Sequence, residues 1–216
     1  MKIGAVTIGQ SPRVDVTKDI MGIFGSSVEL IQAGGLEGLT KEEIKAFAPE
    51  KDDYVLVSRL TDGSSVTFAE RFILPRLQAA IKKMEEEGCA LVMMFCTGNF
   101  PESLSTEKIP LIYPCDILDR VVPLLTKSSH IICLTPSPLQ EEQCAAKWKN
   151  YVQKVSVVAA SPYGDRRDMI RAESVRRLGG TGKGGRGNKW HGGRSYCAGL
   201  HWIYSGNEKN VRTKNR

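Results

Sequence analysis

No apolar run in the 216 residues approaches the ~20 residues needed to span a bilayer, which excludes a chain built around a membrane helix. The six cysteines, at 89, 96, 115, 133, 144 and 197, show no CxxC spacing, and several sit in apolar, strand-like runs. Reduced thiols in a cytoplasmic protein are therefore expected, rather than a disulfide frame. No Walker loop occurs, and no intact GxGxxG follows an apolar strand. Neither the cysteines nor His130 have a metal-like partner set, so no metal site is expected. Met1-Lys2-Ile3-Gly4 leads straight into a strand-like stretch with no signal-peptide h-region, again as expected of a cytoplasmic chain.

What is present is ordinary globular composition, 41% hydrophobic and 25% charged, with length for one large α/β domain or two small lobes. The net charge of +6 divides unevenly. From Arg166 to Arg216 there are 13 Lys and Arg against 3 Asp and Glu, leaving 17 basic and 21 acidic residues before Arg166. The same tail holds 10 of the 21 glycines, clustered between Gly179 and Gly187. Three segments are expected: an N-terminal α/β lobe over 1–125, the start of a second α/β lobe over 126–165, and an anomalous basic, glycine-rich tail over 166–216.

Residues 1 to 8 read as a buried strand. Ser11 suits an N-cap and Pro12 a first helical position, predicting a helix from Pro12 to about Phe24 with Ile20, Ile23 and Phe24 on its apolar face. Val28–Gln32 reads as a strand. Thr40-Lys41-Glu42-Glu43 is a capping box opening a short helix. Tyr54–Leu60 is strand-like, with Asp62-Gly63 as a hairpin-type turn before Val66. Apolar residues at 68, 72, 73, 77, 80, 81 and 84 predict a helix over 68–87, kinked at Pro75 or starting nearer to it. Ala90–Phe95 is a continuous apolar run, the pattern of a central parallel strand. Strands at Ile109–Tyr113, His130–Leu134 and Val155–Ala159 alternate with helices at Asp116–Leu125 and Leu139–Tyr151. The alternation predicts an α/β, Rossmann- or flavodoxin-like fold with mainly parallel sheets.

Ligands in such sheets bind beyond the carboxyl ends of the strands, which draws attention to Gly9–Arg13, Cys96–Phe100, Thr135–Ser137 and Ser161–Asp165. Cys96 is the strongest single candidate. A thiol leaving a buried strand toward a helix start has its pKa lowered by the helix N-terminus; the alternative is a buried structural cysteine. Thr97, Gly98 and Asn99 supply a hydroxyl, unhindered N–H groups and an amide suited to a carboxylate. Gln10 and Arg13 flank the first strand–helix turn, where a guanidinium grips an anion bidentately or is simply a solvated first-turn residue. With Ser11, Thr135 and Ser161 they make up the expected ligand-binding set.

Thr7-Ile8-Gly9-Gln10-Ser11-Pro12-Arg13, followed by Leu36-Glu37-Gly38-Leu39, Leu60-Thr61-Asp62-Gly63, Cys96-Thr97-Gly98-Asn99-Phe100 and Ser161-Pro162-Tyr163, resembles the AroM family over roughly residues 1 to 170. That family is similar to the aspartate/glutamate and hydantoin racemases, two α/β lobes facing each other across a cleft. The resemblance implies a cofactor-independent reaction with two cysteines. One thiolate removes a proton from a carbon next to a carboxyl or carbonyl, and the other thiol returns one to the opposite face. Cys96 occupies the position of the first. The implied partner is a small anionic or amino-acid-like ligand, with a homodimer as one assembly open to the chain. A non-catalytic small-carboxylate binder is the competing class.

The tail departs from the resemblance. Relatives carry a strand ending in an Asp-Cys-x-Gly-Tyr type motif and then a closing helix, where this chain has Arg194 to Ser205. Codons begun at the second base of each tail codon permit Asp-Leu-Ile-Val-Leu-Asp-Cys-Ile-Gly-Tyr-Thr over that stretch. The favoured expectation is a tail out of frame, the shift falling between Asp165 and Arg177, in a chain whose catalysis is impaired. A natural disordered basic tail ranks second. Nucleic-acid binding through its Gly/Arg content ranks a distant third, because the acidic body repels a phosphate backbone.

Overall fold

Ile3, Ala5 and Val6 are buried in β1 (Lys2–Thr7), a strand apolar enough to be covered on both faces. β2 (Glu29–Gly34) pairs with it in parallel on one side, and β5 (Val92–Met94) on the other. β6 (Leu111–Ile112) completes a four-stranded parallel sheet of order β2-β1-β5-β6. A separate antiparallel hairpin joins β3 (Val55–Arg59) to β4 (Ser65–Ala69). Gly63, at φ +86°, takes the left-handed conformation that its turn requires.

The computed structural model describes residues 1–126, 130–163 and 202–205. They belong to two units, one over Met1–Leu118 and one from Asp119 onward.

In the first unit, α3 (Leu74–Glu86) buries Leu77, Ile81 and Met84, one helical face at spacings of four and three. They share a single core with Val6 and Ile8 of the first strand segment, Val92 and Met94 of β5, and Leu56 and Phe68 of the hairpin. Each such side chain contributes about 1.5–3 kcal/mol on removal from water. The hairpin thus shares this core although no sheet bond joins it to the parallel sheet. α2 (Lys41–Lys45) has the full capping box, Thr40 with Glu43.

Three local expectations are corrected. α1 runs over Val14–Phe24 with Arg13 at its cap and no side-chain cap bond. Ser11 does not cap it, because its hydroxyl donates to Glu37 instead. Ile23 on this helix is 79% exposed, so the expected apolar face is not fully covered. The periodicity beginning at Phe68 mixes two elements. Ser65–Ala69 pairs with β3, and the helix begins only at Leu74, with Pro75 in its first turn.

In the second unit, β7 (His130–Thr135) and β8 (Lys154–Ala159) are parallel and joined through α5 (Glu141–Lys149). Cys133, Cys144 and Trp148 are buried there. Asp119, in the middle of α4 (Pro114–Thr126), pairs with Lys147 at 2.9 Å. β9 (Trp202–Ser205), in the expected tail, pairs antiparallel with β7. The rest of that tail, including Cys197, lies outside the described residues, as does the His130 side chain. No helix among the described residues is long and apolar enough to cross a membrane.

Candidate functional site

In the first unit the carboxyl ends of β1, β2 and β5 bring three loops of the sequence motif to one end of the sheet. Gly35 N–H donates to Thr7 O at 2.9 Å, and Leu36 N–H to Gly9 O at 3.0 Å. Gly34 lies so close to Gly9 O, Gln10 and Ser11 N that a Cβ there would collide with backbone, which is why the position takes glycine.

Gln10 ties these loops together. Its Oε1 accepts from Thr61 N–H and Oγ1, each at 3.0 Å, and its Nε2 donates to Leu39 O at 3.3 Å. Ser11 donates from N–H and Oγ to Glu37 Oε2, at 3.1 and 2.6 Å. Arg76 donates to the carbonyls of Gly35 and Glu37. Three of the motif pieces therefore meet in one hydrogen-bonded cluster, in which Gln10 and Ser11 bond to protein groups.

Arg13 is buried rather than solvated, and its guanidinium forks onto a carboxylate of this chain. It is 5% exposed, and its Nε and Nη2 donate to both carboxylate oxygens of Asp15 at 2.9 and 2.8 Å. Its Nη1 reaches Thr7 Oγ1 at 3.4 Å. Burial pushes the Asp15 carboxyl upward, but the hydrogen bonds and charge of Arg13 outweigh it and hold the group below the usual carboxylate value.

Cys96 stands just past β5, where Phe95 N–H donates to Val6 O at 2.7 Å. The expected helix start is absent. Residues 97–110 form turns, bends and irregular chain, so no helix N-terminus acts on the thiol. Gly98 N–H donates to Cys96 Sγ at 3.4 Å, and Thr97 N–H also favours the thiolate, a small cradle of backbone donors. Burial outweighs both and raises the thiol to about 11, with the nearby Glu70 charge adding to the rise and Arg13 opposing it. Thr97 and Gly98 are buried, whereas Asn99 is exposed.

Two neighbours carry more than the sequence reading assigned them. The Tyr54 hydroxyl accepts from Asn99 N–H at 3.1 Å, and burial raises its pKa above the ordinary phenol value. Glu70 N–H donates to Tyr54 O at 2.9 Å. Glu70 Oε1 is shielded from solvent and has no hydrogen-bond partner among the described residues, and burial pushes its carboxyl up to about 7. The signal was there in Phe68-Ala69-Glu70-Arg71-Phe72, a carboxylate set among apolar residues. Cys115 is buried in the first turn of α4 (Pro114–Thr126).

In the second unit Thr135 is fully buried and its Oγ1 donates to Ser137 O at 3.1 Å. Ser161 Oγ accepts from Tyr163 N–H at 3.1 Å. Thr135 is the last residue of β7 and Ser161 follows β8, and both side chains serve local turns. No group of three or more metal-ligating side chains occurs among the described residues.

The family model described as AroM protein matches residues 3–181. No curated protein matches the sequence.

Proposed function

Because the chain belongs to the AroM family, we propose that it is built for racemase- or isomerase-like proton transfer by Cys96 on a small carboxylate or amino-acid derivative in the cytoplasm, without a cofactor. The observation that supports this reading best is the cradle at Cys96. A sulfur just past a central parallel strand, facing backbone N–H groups of Thr97 and Gly98, is suited to carry negative charge transiently. A proton donor and acceptor must lie within hydrogen-bond reach of the reacting carbon. Ligand contacts in the first unit fall to the Thr97–Asn99 turn, since Gln10, Ser11 and Arg13 bond to protein groups and act by holding the loops.

A specific observation favours the second reading, a non-catalytic small-carboxylate binder. A thiol raised to about 11 rests as the neutral form at physiological pH, and such a thiol is a poor base until something takes its proton.

The tail bears on the activity of this particular chain. The family match stops at residue 181, and the basic, glycine-rich composition sets in close before it. We propose that the tail is out of frame and that the protein as written is impaired, lacking the second cysteine strand of its relatives.

The test is solvent-hydrogen exchange at the α-carbon of a broad panel of amino and hydroxy acids in D2O, using the frame-restored protein beside the chain as written. Exchange by the frame-restored protein, lost at least a hundredfold in Cys96→Ser, is the expected result. No exchange across the panel favours the binder.

A further inference from the structure

Residues 97–110 have no helix or strand of their own, and side chains from other elements hold their backbone. Gln78 of α3 donates from Nε2 to Ser105 O and accepts at Oε1 from Ser105 N–H, each at 2.9 Å. Glu85, two turns along the same helix, accepts from the N–H groups of Glu107, Lys108 and Ile109. At the Cys96 end the tether comes from the hairpin instead. The Tyr54 hydroxyl accepts the Asn99 N–H at 3.1 Å. Tyr54 is itself anchored, its carbonyl accepting the Glu70 N–H at 2.9 Å.

The hairpin reaches the same turn with a second side chain. Tyr54 and Leu56 are two residues apart, the spacing that places side chains on one face of an extended segment. A Cβ built on Gly98 would meet Leu56 Cδ2 at 3.5 Å, the Tyr54 ring at 3.6 Å and Cys96 Sγ at 3.5 Å. A phenylalanine at 54 would supply that ring contact equally well. What the tyrosine adds is an acceptor for one backbone amide, next in the chain to the Gly98 N–H that donates to Cys96 Sγ at 3.4 Å.

We propose that Tyr54 is a positioning residue for Cys96: its hydroxyl holds the Asn99 amide and thereby keeps the Gly98 N–H aimed at the sulfur. Peptide units are planar, so only the two dihedrals of Gly98 separate the held amide from the one facing Sγ. Glycine has the widest backbone freedom of any residue, and an anchor on its far side is what restricts it. The proposal rests on the proton-transfer reading above for its bearing on activity, whereas the anchoring itself needs no substrate. Backbone donors favour the Cys96 thiolate against the burial that disfavours it, so a loosened turn leaves burial less opposed. Burial also keeps the Tyr54 hydroxyl neutral at physiological pH, and deleting it there takes no charge away from the sulfur.

The experiment uses the full chain labelled with 15N and with 13C at cysteine Cβ, the Cys96 signal being assigned with Cys96→Ser. Tyr54→Phe keeps the ring and removes the hydroxyl. Amide exchange at Asn99 and Gly98 is expected to quicken about tenfold or more, while the β1 amides stay within about twofold of the wild type. The Cys96 thiol limb, at about 11 in the wild type, should begin at higher pH, the opposite of what losing a repelling charge would do. Unchanged Gly98 exchange or an unmoved thiol limb overturns the proposal. Equal quickening in β1 also overturns it, since Tyr54 would then support the fold at large. Should the variant fail to fold, the wild type decides. Asn99 and Gly98 opening at one common free energy below that of β1 supports the anchor, and any other pattern overturns it. A loosened turn in a protein that exchanges no α-hydrogen counts against the racemase-like reading only. An undisturbed turn in one that does exchange counts against Tyr54 only.

Discussion

Glu70 is the residue through which burial ties native stability to pH. Its folded-state pKa of about 7 lies above the ordinary carboxylate value, so the native state holds a proton that the unfolded chain has already lost. Native stability is therefore highest below the unfolded pKa, near 4, and falls as pH rises toward 7. A shift of that size corresponds to ~3 kcal/mol, and solvent screening at this half-buried site reduces the expected loss to about 1 kcal/mol. Glu70→Gln should flatten the pH dependence and melt higher than the wild type at pH 8. Denaturant melts at pH 5 and pH 8 check this. Equal slopes for the two proteins would mean that Glu70 is solvated like any surface carboxylate. Asp15 has the reverse sign. Its carboxyl is held low beside Arg13, so its contribution is present above the unfolded pKa and is lost as pH falls through the folded one.

At the scale of elements, the functional end of the sheet is held by side chains rather than by further strands. Gln10 links the loop after β1 to the loop after β2 through Leu39, and to the hairpin turn through Thr61. Gln10→Ala removes one donated bond and two accepted ones, leaving partners to find water. The expected cost is about 1–3 kcal/mol, a drop of several degrees in Tm. Gln10→Glu can still accept from Thr61 but cannot donate to Leu39, and should fall between. Thermal melting of the three proteins checks the order. An alanine variant as stable as the wild type would show that the loops are held by their backbone bonds and by burial of Leu36 alone. The capping box of α2 is the converse case, a device complete within four residues that needs nothing from the rest of the fold.

At the scale of the whole molecule, the chain is two compositions joined. The first 165 residues are net acidic, and the last 51 carry 13 basic residues and 10 glycines. Glycine supplies no side chain to bury and costs the most backbone entropy to order. On the out-of-frame reading proposed above, such a segment stands in place of a family member's closing strand and helix with little apolar side chain to bury, and poorly covered apolar surface favours aggregation. The frame-restored protein is therefore expected to be more soluble and to melt more cooperatively than the chain as written. Sequencing codons 165 to 205 gives an independent check. Equal melting and equal α-carbon exchange in both proteins would establish the tail as native.

The sequence by itself determined the class of the fold and the order of its elements. The run around Val92, the alternation of strands and helices, the Thr40–Glu43 box and the Asp62-Gly63 turn act through neighbours a few residues apart, and such signals survive without knowledge of the rest of the chain. It also placed Cys96 just beyond a central strand. Tertiary structure alone decided what the side chains there do. Ser11 left its capping role for Glu37, 26 residues away, and Gln10 bonded to Thr61, 51 residues away. Arg13 was claimed by Asp15 because packing buries the guanidinium beside a half-buried carboxylate, and burial is a property of the packed unit. Glu70 looked like one more residue of a helical period. It became a carboxyl with a shielded oxygen because the strand pairing of Ser65–Ala69 ended that period early and tied its backbone N–H to the Tyr54 carbonyl.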